Sequence, residues 1–488
     1  MSTIHVDVPQ SVCRAGVARR DITPPVGIYH RMWGAATHEQ ATGVHRPLVA
    51  TALVLDPIER QAGGDSSIAP QAIVAIDHCL LWNQDMAVLQ TAVCDATGLA
   101  TEQVHIAFSH THAAGLMDRG RAGLPGGEMI GPYLDHMAKQ IAAAVAEATQ
   151  NLQPVTIVYG TGRCALGRNR DFWDEDSGQF VCGVNPEGPT DDTVLVARLS
   201  AADGATLATM VNYACHPTTL AWQNTLISPD YIGALREVVE AATGAPCVFL
   251  QGASADIGPR QGYVGDVRVA DQNGRELGYA ALAALEALAP PGTRFEYTGP
   301  VVSGATLGTW DYRPLSDDEQ AAKSCWRFRQ FPVELARRPD LPDREQTENE
   351  LVRWLAAERD ANEQHDAARA RDARAQAERM TRQLARLRAA PDGHAVMATV
   401  AIAQMGDAFW VLLQGEYYNV LQRALRERFP QSPIVVSTVT GGWSPGYVPP
   451  AATYGCGLYQ ESVAVVAPGS LEAMIEALCG AISAWQRP

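Results

Sequence analysis

Again and again in this chain, a short apolar run stops on polar residues of the kind that do chemistry. Val104-His-Ile-Ala-Phe108 stops on Ser109-His-Thr-His112, and the run 206–214 stops on Cys215-His216-Pro217. Cys247-Val-Phe-Leu250 runs into Gln251-Gly-Ala-Ser-Ala-Asp256, and Ala408-Phe-Trp-Val-Leu-Leu413 into Gln414-Gly-Glu416. Apolar runs of this length, bounded by turn residues, read as buried strands. Helical stretches lie between them. Leu134, Met137, Ile141, Val145 and Ala148 fall on one face of a helix whose first turn contains Pro132. Strands alternating with helices imply α/β units, and open α/β sheets gather their sites outside the carboxyl ends of the strands. The expected fold is therefore a mixed α/β one, a β-sheet core flanked by helices, with the site at strand ends.

A chain of 488 residues exceeds one ordinary core, so it forms either two units or one large decorated domain. The stretch 316–390 differs from the rest. Ser316-Asp-Asp-Glu319 is a capping-box sequence, and 343–390 is rich in Ala, Arg, Glu and Gln until Pro391-Asp-Gly393 stops it. Its middle is almost all Ala and charge, as in a solvated helix or helical hairpin. After it the chain returns to strand-type sequence. Residues 1–488 therefore read as a single catalytic domain carrying a long helical insertion at about 316–390, a structural or oligomer-forming projection through which a homo-oligomer could assemble.

Acidic residues number 54 against 38 Lys and Arg, a net charge of −16. That balance excludes nucleic acid or an anionic membrane as the main partner and leaves a small-molecule substrate. The opening Met1-Ser-Thr-Ile-His-Val-Asp7 has no basic head or apolar run, so no signal peptide is expected. No stretch approaches the roughly 20 apolar residues of a membrane span. The ten cysteines are scattered without a C-x-x-C pair, and Cys79, Cys215 and Cys247 read as small buried hydrophobes. A reduced, cytoplasmic setting follows.

His110 and His112 are two apart, and on an extended backbone such residues point the same way. They are candidates for a metal or acid/base site, or for a polar strand end bonded to nearby carbonyls. Adding His216 and Glu416 gives two imidazoles and a carboxylate, a common hydrolytic zinc set that leaves room for a water. Periodicity cannot bring these distant residues together. Alone, His216 reads equally as a capped strand end, and Glu416 as a solvent-facing carboxylate at a helix start. Gly442-Trp-Ser-Pro-Gly446 has the form G-x-S-x-G of a serine hydrolase, but Pro445, Pro449 and Pro450 exclude the helix that motif requires. The glycine-rich loop 119–131, Trp310 and Trp443 are candidates to shape a pocket.

Six blocks in order resemble the neutral/alkaline non-lysosomal ceramidase family. Ala15-Gly-Val-Ala-Arg-Arg-Asp-Ile-Thr-Pro-Pro-Val-Gly27 is similar to its opening signature, and Ser109-His-Thr-His112 to its T-H-T-H segment. Cys215-His216-Pro217 with Asn224-Thr-Leu-Ile-Ser228 resembles a third block, and Gln251-Gly-Ala-Ser-Ala-Asp-Ile-Gly-Pro259 its G-D-V-S-P block. Gln414-Gly-Glu416 matches P-G-E, and Ser444-Pro-Gly-Tyr447-Val matches Y-x-G-Y-V. The resemblance implies a Zn2+ amidohydrolase with His110, His216, Glu416 and Tyr447 as ligands. It also implies active-site roles for His112, Arg170 and Tyr459. Gly258 stands where the family has an active-site Ser, and the family's C-terminal immunoglobulin-like domain and secretion signal have no counterpart, as in short bacterial relatives. These departures lead away from ceramide itself, toward another linear N-acyl amide cleaved by metal-activated water. A zinc-dependent ester or lactone hydrolase is the enzymatic alternative, and a scaffold working through the helical insertion the non-catalytic one.

Overall fold

The computed structural model describes residues 4–58, 69–390 and 393–486. The readings made on residues 1–3 and on Pro391 and Asp392 lie outside them. Two sheets stack face to face between outer layers of helices. The larger has eight strands in the order Cys247–Gln251, Thr206–Tyr213, Thr193–Ala201, Gln153–Arg163, Gln10–Asp21, Val49–Asp56, Gln71–Ile76, Val104–Phe108. The smaller runs Trp326–Ala336, Ala395–Met405, Ala408–Leu413, Ile434–Ser437. Most neighbours are antiparallel. The parallel pairs lie at the two edges of the larger sheet and one edge of the smaller. A parallel pair needs a crossover, and each has a helix between its strands: Asn83–Thr97, Tyr231–Thr243 and Val420–Arg428. The polar clusters read from the sequence follow strands of these parallel pairs.

Between the sheets, Ile73, Leu195, Met210 and Leu250 pack against Phe328, Trp410 and Val435. Full burial of such side chains stabilises by about 1.5–3 kcal/mol each. The one polar atom of Trp410 is satisfied across the layer, its Nε1 donating to the Tyr159 hydroxyl at 3.3 Å. On the far face of the large sheet lie Asn83–Thr97 and Ile130–Gln150 at one end, and Tyr231–Thr243 and Val267–Glu286 at the other. Val420–Arg428 and Ser470–Gln486 cover the smaller sheet. Among the described residues no helix is long and apolar enough to cross a membrane.

The stretch 316–390 is not helical throughout. A short helix, Asp317–Ala322, carries the expected capping box at Ser316. Trp326–Ala336 is then a strand paired over its whole length with Ala395–Met405. It forms the sheet edge, where Pro332 removes no needed donor. The buried face changes along this strand: Trp326 and Phe328 pack between the sheets, whereas Val333 and Leu335 pack on the opposite, helix-covered face. The helical insertion proper is a hairpin of Arg344–Glu363 and Ala367–Ala389. Helix Val267–Glu286 went unread because glycines interrupt its apolar face. Gly274 and Gly278 let it lie against helix Tyr231–Thr243, where a Cβ on Gly274 would fall 2.1 Å from the Tyr231 carbonyl oxygen.

Candidate metal centre

Strands Val104–Phe108 and Ala408–Leu413 belong to different sheets, and residues 438–441 stitch their ends together. Phe108 N–H donates to the Val439 carbonyl at 3.1 Å, and Gly441 N–H to the Ile106 carbonyl at 2.8 Å. Val439 N–H donates to Gly415 and Thr438 N–H to Gln251, each at 2.9 Å. Three strand ends thus meet at one point. The stitch holds Val439 at φ 51°, a left-handed conformation costly for a β-branched residue.

His110 is also left-handed, at φ 67°. The extended backbone expected to align His110 with His112 is therefore absent. A turn brings both rings to one cavity instead, with centroids 5.0 Å apart and planes at 88°. His110 Nδ1 donates to the Cys79 carbonyl at 2.7 Å, and His216 Nδ1 to the Ser254 carbonyl at 3.2 Å. Carbonyls only accept, so each Nδ1 carries a proton; His216 Nε2 keeps a bare lone pair, and His110 Nε2 presents one once it gives up the second proton that Glu416 favours on that ring. Those two Nε2 atoms face each other at 3.1 Å. Glu416 Oε2 lies 3.2 Å from the first and 3.7 Å from the second. Donors bound at about 2.0–2.1 Å around a tetrahedral ion sit roughly 3.3 Å apart, so this set fits a zinc-sized cation. All three residues are buried, and neither bland reading of His216 or Glu416 describes them.

The electrostatics agree. Burial alone would lower the His110 pKa, but Cys79 and Glu416 beside it raise it well above the usual imidazole value. Burial, then Arg170 and the neighbouring imidazoles, hold His216 well below that value. The centre of the cluster attracts positive charge. Cys79, His110 and His112 form a second group within metal-binding reach. The first group is the better one, because the His110 Nδ1 that faces Cys79 is already committed to a carbonyl.

The remaining candidates surround this point. The Tyr447 hydroxyl faces Glu416 and accepts from Arg170 Nη2 at 3.2 Å. Arg170 is buried and donates from Nε and Nη2 to the Ala255 carbonyl at 2.9 and 2.6 Å. Tyr459 meets Tyr447 edge to face, centroids 5.8 Å apart, and stays half exposed at the cavity mouth. His112 Nε2 lies 3.5 Å from His110 Nε2, and Trp33 packs on its ring. A Cβ on Gly258 would make ordinary contact with Arg170 Cδ at 3.7 Å, so no crowding demands glycine there. Ser444 is followed by the short strand Tyr447–Val448 rather than a helix, and among the described residues its hydroxyl has no histidine partner.

Trp443 lines the cavity as expected, whereas Trp310 lies on the hairpin strand Ala305–Pro314 away from it. Three contributions went unread. The Cys79 carbonyl orients His110, a backbone role that no side-chain motif reveals. Arg382 and Arg386 of the insertion's second helix also line the cavity. The insertion thus reaches the site and is more than a remote projection. The spacing of Arg379, Arg382 and Arg386, on one helix face, was the available signal.

Residues 13–253 match the family model described as neutral/alkaline non-lysosomal ceramidase, N-terminal. Among solved structures, neutral ceramidase from Pseudomonas aeruginosa superposes with a TM-score of 0.61 at 15% identity, over 97% of this chain and 74% of that one. A structure described as ceramidase complexed with C2 gives a TM-score of 0.61 at 16% identity with the same coverage. These likenesses show the shared fold. No curated protein matches the chain.

Proposed function

The chain belongs, through residues 13–253, to the neutral/alkaline non-lysosomal ceramidase family, and on that premise we propose a zinc-dependent hydrolase of a linear N-acyl amide bond. One observation carries the metal: two imidazole Nε2 atoms face each other at 3.1 Å with a carboxylate oxygen beside them. Those three donors require positive charge between them, a proton on His110 in the metal-free protein or a cation in its place. His110, His216 and Glu416 would hold zinc, with the Tyr447 hydroxyl as fourth donor. Zinc supplies there a Lewis acid and a water whose pKa falls to about 7.

The chain's own residues do the rest. Burial, then His110, Arg170 and Arg382, hold the His112 pKa well below its usual value, so the ring is neutral at neutral pH. Its Nε2 takes the proton of the attacking water and passes it to the departing amine nitrogen. Arg170, fastened to the Ala255 carbonyl, positions Tyr447 and adds a fixed positive charge beside the carbonyl where negative charge develops. Tyr459, at the mouth, orients the substrate. Gly258 offers no hydroxyl, so no serine ester forms at that position. The contributing residues run from 110 to 459, which supports one catalytic unit interrupted by the hairpin.

The test is zinc analysis of the reconstituted protein together with turnover of N-acyl amines, with His110→Ala as the blank. One zinc per chain and turnover lost in the blank are expected. Protein that binds no zinc, or zinc-loaded protein that cleaves no amide, would sink the proposal.

A further inference from the structure

The site has two chambers, and the outer one is cationic. The inner chamber, about 80 Å³, holds His110, His112 and Glu416 and has apolar walls such as Leu116 and Trp443. An outer one of about 340 Å³ shares Arg382, Arg386, Tyr459 and Val463 with it and adds Arg379. Arg379, Arg382 and Arg386 are three and four apart on helix Ala367–Ala389, so they face the same way.

The charges in this chamber do not balance. Its one carboxylate, Glu378, accepts from Arg121 at 2.7 and 3.2 Å and from Arg382 Nε at 2.8 Å. That leaves nothing for the rest. Among the described residues Arg386 donates to the Gln383 amide oxygen, at 2.9 and 3.3 Å, and neither it nor Arg379 forms an ion pair. Burial, with Arg382 and Arg379 nearby, lowers the Arg386 pKa. A half-buried guanidinium without a counter-ion is expensive to keep, and an arriving anion relieves that cost. The feature is the more telling in a chain of net charge −16.

We infer that Arg386, with Arg382 and Arg379, forms an anion subsite that selects amide substrates carrying a carboxylate, of the N-acyl amino acid type. The inference rests on the hydrolase reading for its amide and on the outer chamber for its charge. The carboxylate pairs with the Arg386 guanidinium while the acyl-amide portion lies against the apolar inner wall.

Two matched pairs of probes test it by calorimetry on the zinc-loaded full chain. N-hexanoylglycine is compared with N-hexanoylglycinamide, and N-butylsuccinamic acid with its primary amide, so the charge lies on either side of the scissile bond. In at least one pair the charged member binds about tenfold tighter or more, the size of a charge-assisted hydrogen bond. Arg386→Gln abolishes that preference and Arg386→Lys restores part of it. Equal binding within both pairs, binding by no probe, or a preference that survives Arg386→Gln overturns the inference; survival would mean the carboxylate sits on the metal. Turnover is scored separately. A charge preference without hydrolysis leaves the subsite standing and removes the hydrolase reading, and hydrolysis without preference does the reverse.

Discussion

Arg121 and Glu378 form a buried two-point ion pair, Nη2 to Oε1 at 2.7 Å and Nη1 to Oε2 at 3.2 Å, each residue 5% exposed. It fastens the second hairpin helix to the glycine-rich loop 119–131. Burial opposes ionisation of Glu378, yet Arg382 and Arg121 hold its pKa down to about 2. Glu378→Ala leaves Arg121 buried and unpaired, and should cost about 3–5 kcal/mol. Urea unfolding measures the loss, and limited proteolysis should cut the hairpin faster. The folded pKa is depressed, so the contribution is complete above about pH 4.5 and fades as pH falls toward 2. An unchanged midpoint would mean that Leu384 and Leu387 hold the hairpin instead.

Single alanine replacements of His110, His216 and Glu416 should each reduce bound zinc to background in metal analysis. Tyr447→Phe should keep zinc but weaken it by about 10–100-fold, as loss of one polar partner does. Full zinc affinity in Tyr447→Phe would restrict that hydroxyl to supporting Glu416.

Zinc affinity should fall as pH is lowered. The His110 pKa lies well above 6.5 in the metal-free protein, so zinc must displace a proton from that ring. The proton is gained as pH drops through that raised value, and weakening therefore begins above pH 6.5. Competition with a chelating dye between pH 8.5 and 6 measures it. A flat profile would show that His110 binds no metal.

Asp256 sits behind the site, its Oδ1 accepting from Asn419 N–H at 2.6 Å. Burial pushes its carboxyl up to about 7. The folded chain thus prefers the protonated acid, and stability present below pH 4 is lost as pH rises through 7. Asp256→Asn removes that dependence, and should exceed the parent in stability by roughly 2–4 kcal/mol at pH 8 but not at pH 4. Thermal unfolding at the two pH values decides it, and a variant less stable at pH 8 would show that the ionised carboxylate is needed.

Much of the layering was legible because periodicity reports burial. Leu134, Met137, Ile141, Val145 and Ala148 all lie inside, and the runs ending at Phe108, Tyr213, Gln251 and Leu413 are strands of the two sheets. The same logic failed where the apolar pattern did not follow one face, in the edge strand Trp326–Ala336 whose buried side changes along its length and at Gly274 and Gly278 in a close-packed helix.

By itself, the sequence determined which segments are buried and that polar residues wait at strand ends. The ordered blocks also carried the family likeness. Only the tertiary structure decided that His110 and His216, 106 residues apart, share a centre with Glu416, which lies in the other sheet's part of the chain. Only it decided that the charged insertion folds back over that centre. The reason is physical. A periodic pattern says that a face is buried but not against what; the stitch at residues 438–441 joins the strand ends that carry the donors, and the Arg121–Glu378 pair fastens the hairpin beside them, both contacts between segments far apart in the chain.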